Sequence, residues 1–232
     1  FRAIYTEVFT SVAYIGFNTV SEQRLAENIF GRRMSPHGLI SVGINVVADA
    51  DWVDVKRKYN LPEEYLLYVG RIDKGKLNHI VQYFLHYKAR YANSKLKFVL
   101  VGGLFSAPVS HSDLIYTGFV SENEKYAIIR HAKIMVNPSK FESLSLILLE
   151  GMQLGKPMLV NGKCEVLKEH CSKSEKAALA YWNKNDFISK LASLETSSEL
   201  CREMGKKGKV YVETYYSWSV IMERLKKAIE SV

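Results

Sequence analysis

From residue 65 onward, short apolar runs closed by glycine or proline alternate with stretches of helical periodicity. YLLYV (65–69) stops at Gly70, and LKFVLV (96–101) stops at Gly102 and Gly103. DLIYTGFV (113–120), KIMVNP (133–138) and KPMLV (156–160) follow the same pattern. Between them lie KLNHIVQYFLHYKAR (76–90), ENEKYAIIRHA (122–132) and SLSLILLEGMQL (143–154), with apolar residues at helical spacing. Strands that are apolar at almost every position have to be covered on both faces, and a parallel sheet between two helical layers does that. The rhythm predicts an α/β fold, a Rossmann-like doubly wound parallel sheet.

The ends of the chain read differently. Residues 184–213 have two helical stretches, and YSWSVIMERLKKAIESV (216–232) is an amphipathic helix opened by a serine. Near the start, SVAYIGF (11–17) is apolar, and TVSEQRLAENIFG is a helix ending at Gly31, with Thr19 or Ser21 as its cap and Glu22 in its first turn. INVVADADWVDVKRKYNLPEEY (44–65) reads as a connector with a small helix. The expected organisation is a remnant of a preceding domain and the start of a linker over 1–43, the Rossmann-like domain over 44–213, and a terminal helix over 214–232. The start FRAIYTEVFT has no initiator Met and no charged-then-apolar leader, so a trimmed chain without a signal peptide is expected. No apolar run reaches the roughly 18 residues that span a bilayer.

Charge narrows the partners. The 232 residues carry a net charge of +8, which argues for anionic company. The basic residues are dispersed, and no ribonucleoprotein, zinc-finger or helix-turn-helix pattern accompanies them, so nucleic acid is not expected. Cys164, Cys171 and Cys201 have neither zinc-knuckle nor CxxC spacing, which suits reduced thiols. The six histidines, His79 and His131 among them, are scattered over helical positions and read as structural. Asp49 and Asp51 lie in the connector and are not read as a metal site; no metal ligands are expected elsewhere.

In open α/β sheets, ligands bind beyond the carboxyl ends of the strands. After the first strand comes VGRIDKGK, with Gly70, Arg71, Lys74 and Lys76; after the next come Gly102 and Gly103, where a ligand can approach the backbone closely. GFVSE (118–122) and NPSKFES (137–143) follow. Arg71 and Lys76 can neutralise a phosphate. The amides of Ser143, Leu144 and Ser145 open a helix and can bind an anion. Together they describe a diphosphate site without a metal. GxxxxGK[ST] and GxGxxG are both absent. Taken singly, Arg71 and Lys76 could be solvated, Glu142 could complement a helix dipole, and Glu150 could face water. Leu146, Leu148, Leu149 and Met152 leave Glu150 little room for that.

These motifs, in this order, resemble the carboxyl-terminal half of retaining GT-B glycosyltransferases, specifically glycosyltransferase family 4. VGRIDKGK looks like the family's first-strand loop, in which an arginine and a lysine five residues later hold the donor diphosphate; here they are Arg71 and Lys76. VNPSKFESLSLILLEGMQLGKPMLV looks like the E-x7-E region, with Glu142 and Glu150 as its acids. YSWSVIMERLKKAI is similar to the terminal helix that crosses back to the amino-terminal domain, and TVSEQRLAENIFG followed by GIN is similar to the end of that first domain.

The resemblance implies roles. Glu142 would contact the transferred sugar, and Glu150 the nucleotide ribose. Arg71 and Lys76 would stabilise the departing nucleoside diphosphate, a task other folds give to a metal. Backbone amides of Leu144, Ser145 and Leu146 would bind phosphate or sugar, and the loop around Val120 would read the base. Configuration would be retained through front-face displacement. Two positions depart from the pattern: Ser145 stands where the family often has Gly, and Gly151 where it usually has Ala.

The implied protein is a nucleotide-sugar-dependent hexosyltransferase, serving polysaccharide or glycolipid assembly in the cytoplasm or at the inner membrane face. Its donor would be a UDP-, GDP- or ADP-sugar, used without cofactor or metal. Its acceptor, a saccharide or glycolipid, would bind mainly through an amino-terminal domain that also holds the family's usual catalytic histidine. Without that domain the chain would bind donor better than it transfers sugar. The alternatives are a non-catalytic scaffold derived from such a domain, and a sugar-nucleotide epimerase.

Overall fold

A computed structural model describes residues 2–31, 34–45 and 50–231, apart from the side chains of residues 2, 3, 74, 76 and 78. Asp49 lies outside them.

The chain opens with α1 (Arg2–Ser11), β1 (Ile15–Phe17), α2 (Val20–Phe30) and β2 (His37–Leu39). β1 and β2 pair in parallel as a separate two-stranded sheet. Thr19 caps α2 by accepting the Glu22 N–H, while the Glu22 carboxylate accepts from Asn18 N–H at 2.7 Å. After α3 (Trp52–Tyr59), capped by Asp51, come β3 (Tyr65–Val69), α4 (Lys74–Arg90), β4 (Lys97–Val101), β5 (Leu114–Gly118), α5 (Glu122–His131) and β6 (Ile134–Asn137). Then follow α6 (Leu146–Gln153), β7 (Met158–Asn161), α7 (Glu165–Lys173), β8 (Ala178–Tyr181), α8 (Lys184–Thr196), α9 (Ser198–Tyr216) and α10 (Trp218–Glu230).

The main sheet has six parallel strands in the order β5-β4-β3-β6-β7-β8. Consecutive strand residues point to opposite faces. Leu67, Val99 and Met158 therefore enter one buried cluster with α5 and α6, while Leu66, Leu100 and Leu159 enter another with α4 and α8. Both faces are covered, as near-continuous apolar strands require. The order reverses between β3 and β6, so the loops leaving those strands diverge and leave a crevice between them.

Three parts of the sequence reading need correction. The helix expected from Leu144 starts at Leu146. Leu144 is buried in the core, and Ser145 holds a left-handed backbone (φ 70°, ψ 71°) that cannot belong to the helix. Ser143 and Leu144 thus lie on the approach to the helix, and its free N-terminal amides begin at Leu146. In addition, β2, α7 and β8 appear where the sequence was given no element. α1 likewise forms over the opening residues.

The N-terminal segment is laced to the main domain. Glu169 accepts from Val20 and Ser21 N–H at 3.2 and 2.7 Å, so a carboxylate sits on the amino end of α2. Burial raises the pKa of that carboxyl, but Lys173 and Ser21 outweigh it and hold it below the usual range. Between β2 and α3, Ile44 N–H donates to Tyr216 O at 2.9 Å.

Candidate functional site

The backbone at the carboxyl edge explains two of the glycines. Gly70 and Gly102 end neighbouring strands with φ of 148° and 135°, in the region that glycine alone enters without strain. Gly70 N–H donates to Val101 O at 2.9 Å, and a Cβ on Gly102 would overlap the Gly70 carbonyl oxygen. The two turns therefore touch backbone to backbone. Gly103 leaves its space to the Phe119 ring, which a Cβ would meet at 2.5 Å. Gly70, Arg71, Gly102, Gly103 and Val120 line one cleft of about 360 Å³, with Phe105, Phe119 and Lys125 on its walls.

Arg71 reaches this cleft from a braced loop. The buried Tyr68 hydroxyl donates to Arg71 O at 3.0 Å, and burial pushes its pKa up, so it stays a donor. Arg71 Nε donates to Asp73 at 2.9 Å, and its guanidinium lies 5.8 Å from the centre of the Phe105 ring. The side chain is 64% exposed, so that ion pair is weak and displaceable. Lys76 falls in the first turn of α4, but its side chain, like that of Lys74, lies outside the described residues.

Glu150 is not at an open rim. Its side chain is 15% exposed, and Lys125 Nζ and Tyr126 Oη both donate to Oε1, at 3.0 and 3.1 Å. Lys125 also pairs with Glu122 at 2.7 Å, and Tyr126 Oη lies 3.1 Å from Asn45 O, between β2 and α3. Burial and the Glu150 charge push the Tyr126 pKa up, which keeps its hydroxyl protonated. Both donors use the same carboxylate oxygen, Oε1.

Glu142 lines a second, larger cleft together with Ser143. Asn137, the last residue of β6, organises the loop around it. Asn137 Nδ2 donates to Ser145 Oγ at 2.8 Å and Glu142 Oε1 at 3.3 Å, while Oδ1 accepts from Ser139 N–H at 3.0 Å. Asn161 does the same for β7: Nδ2 donates to Pro138 O at 3.1 Å, and Oδ1 accepts from Lys163 N–H at 3.0 Å. Ser145, in its left-handed conformation, is fixed by the Asn137 bond. Gly151 has no room to spare, since a Cβ would lie 2.6 Å from Met135 Sδ and 2.9 Å from Met158 Sδ.

His170 supports the same loop from below. It is fully buried, with Nε2 2.8 Å from Leu144 O and Nδ1 2.9 Å from Tyr211 Oη. A carbonyl can only accept, so Nε2 bears the proton and Nδ1 accepts from Tyr211. Tyr211 in turn accepts from Tyr216 at 3.3 Å. Burial lowers the His170 pKa to about 4, so the neutral form holds this arrangement.

The structure thus brings Gly70, Arg71, Gly102, Gly103 and Val120 into one cleft, with Glu150 beside it through Lys125, and Glu142 and Ser143 into the next. Leu144 is a core residue, and Ser145 and Leu146 form the turn onto α6. Sequence reasoning missed Lys125, Tyr126 and His170, whose partners are remote in the chain. It also passed over Asn137 and Asn161, although strand-ending Asn-Pro and Asn-Gly pairs are a local signal for side-chain-to-backbone bonds.

Comparison with known proteins agrees with this fold. The family described as Glycosyl transferases group 1 matches residues 53–211, more than half of the chain. A sucrose-phosphate synthase from Thermosynechococcus elongatus superposes with a TM-score of 0.78 at 17% identity, covering 99% of this chain and 61% of that one. Anabaena HepE, solved in complex with UDP and glucose, gives 0.79 at 10% identity, covering 100% and 67%. WaaG, a glycosyltransferase involved in lipopolysaccharide biosynthesis, gives 0.69 at 14%, covering 90% and 60%. At these identities the likeness is one of fold, and the chain spans about three-fifths of the length of the synthase and of WaaG. The six-stranded parallel sheet is that of a GT-B glycosyltransferase domain, and the chain belongs to the glycosyl transferases group 1.

Proposed function

We propose that this chain is the donor-binding part of a retaining family 4 glycosyltransferase, which moves a hexose from a nucleoside diphosphate sugar to a saccharide or lipid-linked acceptor. The observation that carries the reading is the reversal of strand order between β3 and β6, whose following loops carry Arg71 in one cleft and Glu142 in the other. The base would lie near Val120, the ribose at Glu150 Oε2, and the diphosphate between Arg71, Lys76 and the bare backbone of Gly70, Gly102 and Gly103. The sugar would reach Glu142 and the Leu146 amide. HepE, which shares the fold, was solved with UDP and glucose, and a similar donor would suit this site.

In the reaction, the bond from the sugar's anomeric carbon to the β-phosphate oxygen breaks while the acceptor hydroxyl bonds to that carbon on the same face. The acceptor's proton passes to the departing phosphate oxygen. Arg71 and Lys76 neutralise the charge that gathers on the diphosphate, so the transfer needs no metal. The Glu142 carboxylate faces the positive charge that develops on the sugar ring. Residues 1–43 would belong to the acceptor domain, 44–213 to the donor domain, and 214–232 to the helix that crosses back between them. Among the described residues no helix is long and apolar enough to cross a membrane. Cytoplasmic location, with peripheral contact to the membrane face, belongs to the same proposal.

Calorimetry with UDP, GDP and ADP tests the diphosphate assignment. Arg71→Ala and Lys76→Ala should each weaken the preferred nucleotide by about tenfold or more. Absence of binding to all three, or binding untouched by both changes, would refute it.

A further inference from the structure

The cleft that holds Glu142 has a volume of about 630 Å³ and lies between α2, the loop after β6 and the β7–α7 loop. Phe141, 91% exposed, stands on its rim. An aromatic wall with a few convergent polar groups suits a small polar ligand with one apolar face. Two lysines also line it, Lys140 beside Phe141 and Lys163 after Gly162.

Of the carboxylates here, Glu22 accepts from Asn18 N–H and Glu165 pairs with Lys168 at 2.7 Å, while Glu142 is held by Asn137 through Oε1 and is the acid read as facing the sugar. Lys140 and Lys163 differ: both are exposed, and among the described residues neither side chain has an ion-pair or hydrogen-bond partner. Their positions are nonetheless set. Asn161 ties the Lys163 backbone to Pro138, two residues before Lys140, so the loops that carry the lysines are joined. The lysines also act on a common neighbour. The His79 imidazole on α4 has its pKa lowered first by burial and then by Lys140 and Lys163.

We propose that Lys140 and Lys163 recognise a negatively charged group, carboxylate or phosphate, on the saccharide in this cleft, so that the enzyme works on an acidic sugar. The inference rests on the reading of the Glu142 cleft as the sugar site. The charge can come from the donor, as a uronate, or from the acceptor, as a uronate or a sugar phosphate. In either case the two ammonium groups grip the anion while Phe141 covers the ring.

The test titrates glucuronate, glucose 6-phosphate and glucose into the full chain and follows the backbone amide resonances of Lys140, Phe141 and Lys163. Calorimetry with UDP, UDP-glucose and UDP-glucuronate runs in parallel. An acidic sugar should shift these resonances where glucose does not. The K140M/K163M double variant, at two exposed positions, should reduce that affinity about tenfold and leave UDP affinity as it was. Tighter binding of UDP-glucuronate than of UDP-glucose identifies the donor as the source. Acidic sugar binding on top of UDP-glucose identifies the acceptor. Equal response to acidic and neutral sugars, or a preference that survives the double variant, overturns the inference. Loss of UDP binding with the acidic preference intact would instead fault the diphosphate assignment.

Discussion

His170 Nε2 lies 2.8 Å from the carbonyl oxygen of Leu144, two residues beyond Glu142. The buried imidazole thus joins the loop of one candidate acid to Tyr211 and, through it, to Tyr216 at the end of α9.

The His170 pKa is lowered to about 4 in the folded chain, against about 6.5 when unfolded. At pH 7 both states hold the neutral form. As pH falls below 6.5 the unfolded state takes up a proton that the folded state refuses, so stability drops until about pH 4. The loss should approach about 3 kcal/mol. Urea denaturation at pH 7 and pH 4.5 checks it: His170→Gln should be less pH-sensitive than the parent, and an equal slope would contradict the assignment.

Gly102 and Gly118 both have positive φ, 135° and 72°, but their surroundings differ. A Cβ at Gly102 meets the Gly70 carbonyl, whereas nothing lies within 4 Å of one at Gly118. Gly118→Ala should cost about 1 kcal/mol from the backbone alone. Gly102→Ala should cost at least ~2 kcal/mol more, because backbone must move. Thermal melts of the two variants should separate clearly, and coincident melts would remove the backbone contact as a constraint.

Ser145 occupies a left-handed conformation and accepts a hydrogen bond from Asn137. Glycine there relieves roughly 1 kcal/mol of strain and gives up a bond of about the same worth. Ser145→Gly should therefore be nearly neutral. Ser145→Ala keeps the strain and loses the bond, so it should be less stable by about 1 kcal/mol. Equal urea midpoints for Ser145→Ala and the parent would mean that the bond contributes nothing, and equal midpoints for the two variants that the left-handed backbone costs nothing.

Glu142 and Glu150 should fail in different ways under the proposed function. Glu142→Gln keeps an acceptor for Asn137 but removes the charge facing the sugar, so turnover should fall on the order of 100-fold while nucleotide affinity holds. Glu150→Ala removes the ribose acceptor and should weaken nucleoside diphosphate about tenfold, leaving pyrophosphate binding unchanged. Calorimetry and turnover assays on the enzyme with its acceptor-binding part would show both.

The parallel sheet was legible because its strands are apolar on both faces and punctuated by Gly70, Gly102 and Pro138. β8 escaped because ALAY is four residues long, two of them alanine, and resembles no strand by propensity. The start of α6 was misplaced because Leu144 continues the apolar pattern, while only tertiary burial shows that it belongs to the core and not to the helix. Gly151 looked like a helix defect; the sulfurs of Met135 and Met158 occupy the space an alanine would need. The residues that line the cleft of Gly70, Arg71, Gly102 and Gly103 were readable from local punctuation. Lys125 and Tyr126, which hold Glu150 from about 25 positions away, were not, because no spacing rule connects α5 to α6.

The strand order has a consequence for how the domain opens. β3 is flanked on both sides, and Leu66 and Leu67 are fully buried. Its amides should exchange with solvent among the slowest in the chain, while β5 and β8 at the edges fray first. Arg71 follows directly on that last-opening strand, so under the proposed function breathing at the periphery would admit and release a donor without loosening the residue that meets its charge.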